Sequence, residues 1–197
     1  KLQMFEPATG KVETYDMPQM VMSVRAKRDG TGLIIATHSG ISSFDYASHA
    51  LTHLLNPEPE KPFNRSNDGG TDGRGRFWFG TMQNNLQPDT SPINLISGAG
   101  TLFRLDPDMT VTAHETGIKI SNTVCWSPDQ RTMYFADTAT DTIFAYDFDL
   151  DGGRISNERP FARFERGSPD GSAVDADECL WKARWDGSCG VRFTPRG

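Results

Sequence analysis

The chain has 197 residues and a formal net charge of −6, with 20 basic and 26 acidic side chains mixed along its length. No basic block could track a phosphate backbone, which argues against a nucleic-acid partner, and no apolar run approaches the roughly 20 residues of a membrane span. Glycine (19) and proline (12) are plentiful and aromatics make up 10%, a balance of short strands and turns rather than of disorder, read here as one domain over 1–197.

The chain opens on Lys1-Leu2-Gln3-Met4, with neither an initiator methionine nor a signal-peptide core, so it reads as a mature product or as a chain whose beginning is missing. A repeat then follows: an acidic turn, a short apolar strand, a polar turn and an alternating strand. The first copy runs from Asp29-Gly30 through Leu33–Ala36 to Gly40–Asp45. The second runs from Asp72-Gly73 through Phe77–Gly80 and, after an insertion, to Gly100–Asp106. The third takes Asp129 through Met133–Ala136 to Thr142–Asp147, and the fourth Asp177 through Leu180–Arg184 to Gly190–Phe193. Copies return roughly every 45–55 residues, the spacing of four-stranded propeller blades. In the third copy the four strands are expected at Thr123–Trp126, Met133–Ala136, Thr142–Asp147 and Pro160–Phe164. The expected fold is therefore an all-β propeller, with about four blades represented in this chain. An open arc would expose strand edges, so a truncated chain is expected, with a closed four-blade ring as the alternative.

The insertion Gln83–Ala99, rich in Asn, Pro, Ser and Gly, falls inside the second blade. It reads equally as a solvated loop or as a lid over the channel mouth. Cys125, Cys179 and Cys189 contain no CxxC pair and read as reduced thiols of a cytoplasmic protein. His38, His49, His53 and His114 lack metalloprotease or nucleophile-elbow spacing. Gly69, Gly70, Gly73 and Gly75 are assigned to a blade turn, and Trp126, Trp181 and Trp185 to blade packing.

Counting back eleven or twelve residues from Trp78, Tyr134 and Trp181 reaches Asn67, Asn122 and Asp170. The first copy offers only Met22 or Ser23 there. That phase is the head of each inner strand, where side chains converge on the propeller axis. Two amide oxygens and a carboxylate are hard donors that suit Ca²⁺, Mg²⁺ or Mn²⁺, while zinc would favour His or Cys. Taken singly, each of the three also reads as an ordinary turn or cap residue. Arg65, two residues before Asn67, shares its side of an extended strand. It could grip the hydroxyls or carboxylate of a sugar acid or lactone, or pair with a surface carboxylate. Asp68 is ambiguous, since it also begins an Asp-Gly pair.

At this point the phrasing resembles the SMP-30/gluconolactonase (regucalcin-like) family. Asn64–Gly69 with Gly75–Met82 is similar to the family's NRFNDG…GRFWAGTM, Ile120–Asp129 to its ISNGLAWSPD, Ser168–Asp175 to its GPDGLAVD, and Glu6–Gly10 to its DPATG turn. The resemblance implies a six-bladed propeller that hydrolyses a sugar lactone with a divalent cation (Ca²⁺, or Zn²⁺, Mn²⁺ or Mg²⁺). It makes Asn122 and Asp170 metal ligands, Asp170 also the proton donor and acceptor, and Arg65 and Asn67 substrate contacts, with Asn67 near enough to serve the ion. The chain departs from the pattern at several points. The family's EGP-type glutamate ligand has no counterpart, and Glu6 and Glu13 do not match it. An acidic substrate contact falls near Ile96 with no acid present. Ser66 replaces an aromatic and Thr123 a glycine. A phosphotriesterase-like hydrolase and a non-catalytic calcium- or partner-binding propeller are the alternatives.

Overall fold

A computed structural model describes residues 1–87, 89–95, 98–163 and 166–197. Among these the secondary structure is all-β apart from one 3-10 turn, Thr138–Thr140. No helix is long and apolar enough to cross a membrane.

A hairpin of β1 (Leu2–Glu6) and β2 (Lys11–Tyr15) comes first. The first four-stranded sheet follows, with β3 (Val21–Ala26), β4 (Gly32–Thr37), β5 (Gly40–Asp45) and β6 (Leu51–Leu55). The second holds β7 (Asn64–Thr71), β8 (Phe77–Gln83), β9 (Gly100–Leu105) and β10 (Val111–Ile118). The third holds β11 (Ser121–Trp126), β12 (Thr132–Asp137), β13 (Thr142–Asp149) and β14 (Arg154–Arg163). The fourth holds β15 (Ser168–Val174), β16 (Leu180–Trp185) and β17 (Cys189–Phe193). Every sheet is an antiparallel meander in chain order, as in a propeller blade. The first strands stand side by side, β3 against β7, β7 against β11, and β11 against β15.

The acidic turn of the repeat has a local cause. Asp29, Asp72, Asp129 and Asp175 each accept the backbone N–H two residues on, at 2.9–3.0 Å. This Asx closure lets the chain reverse between first and second strands. In the fourth copy the closing residue is Asp175, two positions before the Asp177 from which the repeat was counted. Gly69 and Gly70 lie inside β7 rather than in a turn. A Cβ on Gly70 would sit 2.3 Å from the Val124 carbonyl, so this glycine permits β7 and β11 to approach.

The strands of the third copy appear where expected but run longer. Its outer strand begins at Arg154, because Asp149 closes a tight turn by accepting from Asp151 and Gly152. Phe164 lies outside the described residues.

Alternation along the second strands divides the core between neighbouring sheets. Phe77 and Phe79 of β8 join Ala36, Ile41, Phe103 and Leu105 on the side of the first sheet. Trp78, between them, turns to the third sheet and packs with Trp126, Met133, Phe135 and Phe148. Tyr134 and Ala136 of β12 then meet Leu180 of the fourth sheet. Trp126 is buried as expected, but Trp181 and Trp185 are 49% and 69% exposed. Leu180 and Lys182 take the inward phase of β16, which leaves the two tryptophans on the opposite face.

Candidate active site

Each first strand carries a register shift near its head, between Val21 and Ser23, Ser66 and Gly69, Asn122 and Cys125, and Pro169 and Ser172. A bulge releases residues from the ladder and re-aims their side chains. Asn67 and Asp170 lie within two of these shifts, and Asn122 borders a third. Their shared phase in the sequence thus becomes a shared irregularity in the fold.

A continuous polar chain crosses three sheets at this level. Asn67 Nδ2 donates to Ser121 O (2.8 Å) and to Asn122 Oδ1 (3.4 Å). Asn122 Nδ2 donates to Thr138 Oγ1 (2.8 Å), whose hydroxyl donates to Pro169 O (2.7 Å), the residue before Asp170. The Asp170 side chain is half-buried, and no carboxylate hydrogen bond to it is found among the described residues.

Arg65, 6% exposed, anchors the other end of the chain. Its Nη1 donates to Asn67 Oδ1 and to Ser66 O, both at 2.8 Å, and its Nη2 to Asn85 Oδ1 at 2.7 Å. Its buried Nε has no hydrogen-bond partner among the described residues. Burial pushes the guanidinium down to about 10. The surface arginine paired with a carboxylate is therefore not what the fold builds. This is a buried cation held by neutral oxygens, an arrangement suited to an anionic or hydroxyl-rich ligand.

The donor set can be tested for a hard cation. Asn122 gives its amide nitrogen to Thr138, which fixes its oxygen as an acceptor that keeps one lone pair beside the long 3.4 Å bond from Asn67, and Asp170 supplies a carboxylate with no hydrogen bond among the described residues. Both fit. Asn67 fits less directly, because one of the two acceptor sites of its Oδ1 is taken by the charged Arg65 fork. Exchanging its amide atoms would set donor against donor at Arg65 and acceptor against acceptor at Ser121. Its place is that of an orienting partner to Arg65. No group of three or more His, Cys, Asp or Glu is placed to hold a metal among the described residues. Two protein donors would leave most of a coordination shell to water, substrate or other groups.

Asp68 has a structural task. Its carboxylate accepts from Gly69 N (2.7 Å) and Val124 N (3.3 Å), backbone donors at the bulges of β7 and β11. Burial raises its pKa, against the opposing pull of those bonds and of Arg25 and Lys182.

Three contributors escaped the sequence reading. Asn85 comes from the root of the insertion, where Asn84 N donates to Phe63 O (2.8 Å) and Ile93 N to Asn85 O (2.7 Å). Thr138 lies in the 3-10 turn, and Lys182 on β16. None shares the inner-strand phase, so no periodic count reaches them. A cleft of about 620 Å³ beside the insertion is lined by His38, Lys61, Phe63, Asn64, Asn84 and Ile93, among others. A smaller cavity shares His38, Lys61 and Asn64 with it and reaches Arg65. Burial lowers the His38 pKa, with the Arg65 charge adding to the effect. Ile96, where the resemblance set an acidic contact, lies outside the described residues.

Meandering sheets joined through bulged first strands, with a polar site at the bulges, define a propeller-like all-β protein. Residues 1–197 match the family model described as SMP-30/Gluconolactonase/LRE-like region, and the chain belongs to that family. It is 33% identical over 197 residues to regucalcin of Xenopus laevis, covering 99% of this chain and 64% of that protein. It is 36% identical over 186 residues to L-arabinolactonase of Azospirillum brasilense, covering 93% and 59%. The crystal structure of a calcium-binding protein, regucalcin, from Agrobacterium tumefaciens superimposes with a TM-score of 0.83 at 28% identity, covering 98% of this chain and 66% of that one. The chain thus spans less than two thirds of the length of these two sequence relatives.

Proposed function

We propose that the protein containing this chain hydrolyses a sugar lactone to its hydroxy acid at the bulged ends of β7, β11 and β15, within a six-bladed propeller. The observation that supports this reading is the run Asn85–Arg65–Asn67–Asn122–Thr138–Pro169, which links the buried guanidinium of Arg65 to the residue before Asp170. The L-arabinolactonase relative supports the reaction class, and the calcium-binding regucalcin structure supports a divalent ion.

Asn122 Oδ1 and Asp170 would hold the cation, Ca²⁺, Mn²⁺, Mg²⁺ or Zn²⁺, which when bound supplies Lewis-acid polarisation of the lactone carbonyl. Arg65 binds the ring hydroxyls or a substrate carboxylate, with Asn67 and Asn85 setting the plane of its guanidinium. Asp170 accepts the proton of the attacking water at a carboxylate oxygen. It returns that proton to the ring oxygen as the C–O bond breaks.

The test is turnover of an aldonolactone panel by the full-length protein, followed by acid release above the spontaneous rate. Activity should vanish with chelator, return with one of the four ions, and fall at least about 100-fold in Asp170→Asn. Cation binding without lactone opening, and no rate change in Asp170→Asn, would leave the non-catalytic propeller standing. Turnover of phosphotriesters alone would favour that hydrolase class.

A further inference from the structure

The bulge that sets Asp170 apart also takes residues 170 and 171 out of the β15–β16 ladder. The sheet therefore does not fix the backbone that aims this carboxylate. Side chains from neighbouring strands do. On one flank Thr138 Oγ1 donates to Pro169 O at 2.7 Å. On the other, the Asp170 carbonyl accepts from Thr123 Oγ1 at 3.0 Å and from Lys182 Nζ. The Thr123 hydroxyl also accepts from Lys182 Nζ and lies 3.1 Å from Ser172 Oγ. With one hydrogen given to Asp170 O and two bonds received, that hydroxyl is saturated.

This arrangement is held against two costs. Lys182 is 1% exposed, on the inward phase of β16 where its neighbour Leu180 packs in the core, and among the described residues its amine hydrogen-bonds to two neutral oxygens. Burying a cation this way is expensive. Thr123 is fully buried and β-branched, yet its φ is +58°, a left-handed conformation that such a side chain strongly disfavours. The resembled family phrase has glycine there. Two unfavourable choices meet on one carbonyl, and backbone strain of this kind persists where the surroundings over-determine it.

We infer that Lys182 and Thr123 form a brace that positions Asp170, by clamping its carbonyl from the third and fourth sheets. The inference rests on the reading of Asp170 as cation ligand and proton carrier. Neither brace residue touches substrate. Both act through the Asp170 backbone, as supporting groups do around metal ligands.

Thr123→Val in the full-length protein is the sharper test, because it keeps the shape and changes no charge. Its affinity for Mn²⁺, measured by calorimetry without substrate, should fall about 10–100-fold. The kcat for lactone should fall by a similar factor while KM holds, and Thr123→Ser, which restores the hydroxyl, should recover both. Lys182→Met, close in volume and free of the buried charge, should lose kcat at saturating cation without a fall in Tm. A merely structural role would lower Tm in Thr123→Val and leave the Mn²⁺ affinity and kcat of the folded protein at the parent level, which overturns the brace. Asp170→Asn separates the two levels. If it loses affinity and rate while the brace variants do not, only the brace fails; if it loses neither, the reading beneath it fails as well.

Discussion

Arg65 states the functional problem most sharply at the residue scale. A guanidinium this buried ordinarily meets a carboxylate, yet here Asn67, Asn85 and the Ser66 carbonyl hold it, and Nε has no hydrogen-bond partner among the described residues. Arg65→Met should therefore leave Tm unchanged or raised, since an unpaired buried charge is removed. The KM for the lactone should rise about tenfold or more, the loss of one charge-assisted hydrogen bond. Arg65→Lys should rescue little, because an ammonium cannot reach both amides as a planar fork does. Steady-state kinetics with a melting curve check both, and a lower Tm with unchanged KM would make Arg65 structural. Asn67, Asn122 and Asp170 could be named from a count of positions because each heads an equivalent strand. Asn85 and Lys182 could not, since only the folded chain sets them against Arg65 and Asp170.

Bulges do the positioning at the scale of the element, and they occur away from the site too. A register shift between Ala113 and Glu115 in β10 takes His114 out of the ladder. Its ring packs on Trp78, centroid to centroid 4.4 Å, with Nε2 buried and without a hydrogen-bond partner among the described residues. Burial, then the Arg104 charge, lowers its pKa to about 4. The folded value lies below the unfolded value near 6.5, so the unfolded chain binds the extra proton first as pH falls. The stability linked to this group is complete above about pH 6.5 and is lost as pH falls toward 4. After allowance for partial exposure the loss is about 2 kcal/mol. Denaturant melts from pH 7 to 4 should show this slope, and His114→Phe should flatten it. An unchanged slope would place the acid sensitivity in other groups. Sequence alternation located the strands well, but a bulge inverts the phase, so alternation could not say which histidine turns inward.

At the scale of the whole molecule, the second strands of the first three sheets each give one face to the sheet before and the other to the sheet after, while that of the fourth packs on the third by Leu180. Phe148 of β13 closes the joint between the second and third sheets, 5.8 Å from Trp78 and 5.7 Å from Trp126. Phe148→Ala should cost about 3–5 kcal/mol. Tryptophan fluorescence and circular dichroism should lose their signals together, as Trp78 and Trp126 sit in the cluster shared by the second and third sheets. Separate transitions would show that the sheets unfold independently. By itself the sequence determined the all-β class and the repeat with its acidic turns, and it singled out Arg65, Asn67, Asn122 and Asp170 as candidates, because turn chemistry and strand phase are local properties. The tertiary structure alone decided that Arg65 meets no carboxylate among the described residues, that Asn67 accepts from Arg65, and that Lys182 rather than Trp181 turns inward. Those outcomes depend on which atoms of distant strands meet across the bulges, where the ladder no longer dictates direction.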